Sequence, residues 1–99
     1  MNRIARTTAT RTTNTPQTDE ALRRVTAEQI GPRREGTVYD NASGLFRVLE
    51  VVTDPSEARR ILRRNSARFA VRIFDMHAGT EHYTGAVWTG SDRVLKAVA

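Results

Sequence analysis

The sequence predicts a small α+β protein: a curled antiparallel sheet preceded by one helix and interrupted by a second, amphipathic helix near residues 55–65. Three observations predict it. From Gly36 onward, short runs of alternating apolar residues are separated by clusters of Gly, Asn, Asp and Ser, the pattern of strands joined by turns. Asp54-Pro55-Ser56-Glu57 interrupts that pattern with a helix start. Before Gly36, Leu22, Val25 and Ile30 recur at helical spacing.

In chain order, residues 1–16 carry Arg3, Arg6 and Arg11 with no acid and only Ile4 as an aliphatic anchor beyond the initial Met. This segment reads as a flexible basic arm that buries too little to offset its chain entropy. Thr15-Pro16 starts a helix over 17–31, with Asp19 and Arg23, and Glu20 and Arg24, at i,i+4 spacing in the favourable order. Gly31-Pro32 stops it, and 32–35 reads as a linker to a folded body over 36–99. An isolated helix this short is marginal, so docking on the body is expected.

Within the body, Thr37-Val38-Tyr39 and Leu45 to Thr53 flank the turn Asp40-Asn41-Ala42-Ser43-Gly44 and form a hairpin. The second strand is apolar on both faces, with Phe46, Val48 and Val52 on one and Leu45, Leu49 and Val51 on the other, which predicts a central strand. In the inserted helix Ala58, Ile61, Leu62 and Asn65 share a face, while Arg59, Arg60, Arg63 and Arg64 occupy the opposite one. Ala67 to Met76 alternates with Phe69, Val71 and Ile73 on one face and Arg68, Arg72 and Phe74 on the other. His82 to Trp88 and Arg93 to Val98 then complete the order α-ββαβββ.

Gly36-Thr37-Val38 followed by Gly44-Leu45-Phe46-Arg47-Val48 resembles the opening of KOW and other SH3-like nucleic-acid modules. The resemblance covers about fifteen residues, a span that speaks to fold alone. It implies an open SH3-like barrel, beside which the strand order also allows a two-layer sandwich.

Charge and composition restrict function. The net charge of +5 divides into +3 over residues 1–16, zero over 17–35 and +2 over 36–99. Fifteen of the sixteen basic residues are arginine, a bias expected of a high-GC bacterial genome or one of its phages or plasmids, so arginine number alone does not specify phosphate binding. No cysteine is present, which excludes disulfides, thiolate zinc sites and cysteine nucleophiles and fits a cytoplasmic protein. No apolar stretch is long enough for a membrane span or signal peptide.

The candidate binding residues are Arg59, Arg60, Arg63 and Arg64 on the inserted helix, extended by Arg68 and Arg72, because planar guanidinium donors suit phosphate and carboxylate oxygens. Phe74 and Trp88 are the candidate interface aromatics, Phe74 as a base-stacking ring beside Arg68 and Arg72. Asp75, His77 and His82 flank one hairpin but match no common zinc spacing, so neither a metal nor a cofactor is expected. Arg72, Glu81, His82, Tyr83 and Lys96 supply the residue types of a metal-independent ribonuclease, without a fixed constellation. The expectation is therefore a non-enzymatic basic module that contacts nucleic acid, with a protein-protein adaptor or inhibitor facing an acidic target as the alternative and a ribonuclease toxin third. So small a body gains a meaningful fraction of its stability from docking of the preceding helix or from self-association as a homodimer, and at least one of the two is expected.

Overall fold

A computed structural model describes residues 16–98 of the chain; the N-terminal arm read from the sequence lies outside the described residues. The elements run α1 (Pro16–Ile30), β1 (Val38–Asn41), β2 (Gly44–Val52), α2 (Pro55–Leu62), β3 (Ala70–Asp75), β4 (Thr80–Thr84) and β5 (Arg93–Lys96). All five strands pair antiparallel in one sheet with spatial order β4-β3-β2-β1-β5. Two helices and an antiparallel sheet are what the patterning predicts, and the sheet remains open at β4 and β5.

Turn chemistry fixes the register. The Asn41 side chain accepts the Ser43 N–H at 2.8 Å, closing the β1–β2 turn, and donates to Asp92 at 2.8 Å, which brings the approach to β5 alongside. The β3–β4 turn is closed similarly: one Asp75 oxygen accepts the N–H groups of His77 and Ala78, both at 3.0 Å. Those bonds, the Ala78 one foremost, hold the Asp75 carboxyl below the usual carboxylate range.

The core lies on one face of the sheet. Tyr39, Phe46, Val48, Val71 and Ile73 are buried there together with Ile30 of α1 and Phe69, and Val51 and Trp88 pack against them. Here the structure corrects the strand reading. β2 carries an irregularity between Val48 and Glu50, so Val48 faces Ile73 but Val51, three residues on, faces Val71. The extra residue switches the alternation; Val51 joins the core face and Val52 pairs with Ala70 on the other. β4 is also displaced from its expected position, beginning at Thr80 and ending at Thr84, so that Trp88 belongs to the connection before β5.

α2 starts as its sequence dictates: the Asp54 side chain accepts the Ser56 N–H at 3.3 Å and Pro55 occupies the first turn. It lies against β3 and β4 with Ala58 fully buried. It stops at Leu62, three residues before the predicted end. Arg63 adopts the left-handed conformation (φ 54°, ψ 44°) and its N–H bonds to the Arg59 carbonyl, a cap more often supplied by glycine.

α1 docks through its C-terminal half, with Thr26 and Ile30 buried and Val25 left exposed. Gly31 ends it at φ +66° with its N–H on the Ala27 carbonyl, and a Cβ there would lie 2.5 Å from Trp88 Cγ. The segment read as a linker holds the most enclosed cation of the fold. Arg33 is only 4% exposed. Its Nε donates to the Ile30 carbonyl at 2.8 Å and its Nη2 to the carbonyls of Gln29 and Ala86 at 2.9 and 2.8 Å. Its guanidinium carbon lies 5.8, 5.8 and 5.6 Å from the ring centroids of Tyr39, Phe69 and Trp88. One side chain thus satisfies the last carbonyls of α1 and ties them to the β4–β5 connection.

Candidate anion-binding cleft

A cleft of about 740 Å³ is lined by residues of α1, of the start of α2 and of the α2–β3 connection. Its lining combines aliphatic Leu22, Ala27, Ile30 and Pro55 with the hydroxyl residues Thr26, Thr53 and Ser56 and three cations, Arg23 of α1, Arg59 of α2 and Arg68 of the α2–β3 connection. Asp19 is the one carboxylate in the lining. A smaller hollow of about 230 Å³ lies beyond Arg68, which lines both, and there Leu62, Phe69 and Val87 meet Arg64 without any acid.

The predicted arginines divide by their partners. Arg59, Arg63, Arg64 and Arg68 make no ion pair among the described residues. Arg68 is half-buried, and its Nε is closed off from solvent without a hydrogen-bond acceptor, an arrangement with a desolvation cost. Arg60 is held by Glu57 at 2.6 Å, and that hydrogen bond raises its pKa further. Arg72 lies between two carboxylates, with Nη1 on Glu81 at 2.7 Å and Nε on Glu50 at 3.3 Å. Its charge is compensated within the sheet.

The two candidate aromatics have different surroundings. Phe74 is half-buried, with the Arg47 guanidinium 5.5 Å from its ring centroid. Trp88 is half-buried, edge-on to Tyr39 at 5.4 Å, and its N–H on the backbone bonds to the Gln29 carbonyl at 2.7 Å. Burial raises the Tyr39 pKa, with the Arg33 guanidinium opposing.

No group of three His, Asp or Glu side chains that could hold a metal occurs among the described residues. The ribonuclease-type set is dispersed: Lys96 is on β5 at one edge of the sheet, Glu81, His82 and Tyr83 are on β4 at the other, and Glu81 is engaged with Arg72. Among the described residues no helix is long and apolar enough to cross a membrane.

Sequence reasoning overlooked Arg23 and Asp19 as cleft residues and Arg33 as a structural one. The helical positions of Asp19 and Arg23 were legible, but only the tertiary packing of α1 brings Arg23 into the same lining as Arg59. Compared with known proteins, the chain matches no family model, and no curated protein and no solved structure is significantly similar to it.

Proposed function

We propose that this chain is a small basic binding module whose cleft and arginine helix contact nucleic acid. The observation that carries the reading is the grouping of Arg23, Arg59 and Arg68 around one concavity with a single opposing carboxylate, Asp19. Guanidinium groups without internal partners are available to phosphate oxygens, and their forked donors fit that geometry. The spatial strand order, with β5 beside β1, supports classing the open sheet as SH3-like, an architecture suited to presenting such a surface.

An acidic protein is the second reading, favoured by the aliphatic residues of the cleft, which an amphipathic segment would cover. Salt titration separates the two. In fluorescence anisotropy with labelled DNA and RNA, affinity falls steeply with rising salt, by about 0.7–0.9 in the logarithmic slope for each phosphate contact. The variant Arg59/Arg63/Arg64/Arg68→Ala flattens that slope. Absence of DNA and RNA binding at low salt overturns the reading.

A further inference from the structure

We infer that the nucleic acid held by this cleft is a single strand whose bases lie on the aliphatic residues and whose backbone crosses Arg68; the inference rests on the reading above and narrows it. The two hollows, about 740 and 230 Å³, are neighbours that share Arg68 as a common wall. Cations line both, Arg23 and Arg59 in the first and Arg64 in the second. This is an interrupted groove with positive charge along its length, complementary to one extended polyanion.

A duplex uses such a surface poorly. Its bases are stacked inside, so it offers phosphates to the arginines and nothing to the aliphatic residues, which remain wet. An unstacked strand offers both: a base face to cover Leu22 and Pro55, another to cover Leu62 and the 46% exposed Val87, and a phosphate between them. Arginine planes in the lining supply the stacking partner that aromatic rings supply elsewhere. Arg68 gives the independent observation. It lines both hollows and makes no ion pair among the described residues, so a phosphate at their junction meets an uncompensated guanidinium charge.

The test compares a labelled pyrimidine oligonucleotide, the duplex of the same sequence, and polyglutamate, each titrated with the full chain at low salt. The single strand binds about tenfold more tightly than the duplex. Arg68→Ala lowers single-strand affinity about tenfold and duplex affinity much less, whereas Lys96→Ala, which removes the same charge at the far sheet edge, changes neither. Circular dichroism confirms that each variant is folded, and Arg59→Ala carries the same comparison should Arg68→Ala fail to fold. Equal affinity for the two nucleic acids, or tighter duplex binding, overturns the single-strand inference and leaves the nucleic-acid reading intact. Binding of polyglutamate alone, or of none of the three probes, overturns both.

Discussion

Arg33 and the Nε of Arg68 are both withdrawn from water, yet the fold treats them in opposite ways. Arg33 has three carbonyl acceptors and three aromatic rings around its guanidinium; Arg68 has an Nε with no acceptor at all. The first arrangement is complete and joins α1, the start of the sheet and the β4–β5 connection into one unit. The second is incomplete and borders a cleft. In a chain where nearly every cation is arginine, residue type carries little information, and the surrounding acceptors assign the role.

The largest expected effect breaks the complete arrangement. Arg33→Met leaves the carbonyls of Ile30 and Ala86 without their Arg33 donor and that of Gln29 with the Trp88 N–H alone, and costs about 3 kcal/mol, a fall in Tm of about 15 °C measured by circular dichroism. Next is Gly31→Ala, which combines a left-handed backbone with a Cβ at 2.5 Å from Trp88 Cγ and costs about 2 kcal/mol in chemical denaturation. The smallest effect comes from the cleft side: Arg59/Arg63/Arg64→Ala keeps Tm within about 3 °C of the parent, because these side chains are exposed and unpaired. A large loss of stability in that triple variant would show that its guanidinium groups have a structural duty and would erase the contrast with Arg33.

The same contrast explains what was legible in the sequence. The start of α2 was readable because its cap, its proline and its first-turn acid are adjacent in the chain. Its end was not, since Arg63 takes a conformation that its sequence gives no reason to expect. The switch of facing in β2 turns on one extra residue, Leu49, which is an ordinary strand former. The four arginines were visible as one cationic helix face, but α2 carries only Arg59 and Arg60, Arg63 being its left-handed cap and Arg64 lying beyond it, and their division into paired Arg60 and unpaired Arg59, Arg63 and Arg64 depends on local geometry. Arg33 was least legible of all. Gly-Pro-Arg-Arg-Glu has the composition of a linker, and the Ala86 carbonyl that Arg33 binds lies 53 residues away. Arg23 entered the cleft for a related reason: Arg59 belongs to another helix, so only tertiary packing reveals the pair.

Trp88 is the only tryptophan in the chain, and it rests on Gly31 at the end of α1 with a guanidinium 5.6 Å from its ring. Because the same ring is edge-on to Tyr39 of β1 at 5.4 Å, its ultraviolet emission responds both to how that helix is seated and to the packing of the sheet beneath it. The molecule thus carries an intrinsic optical reporter where α1 meets the core, and loosening of that contact can be followed without attaching a dye.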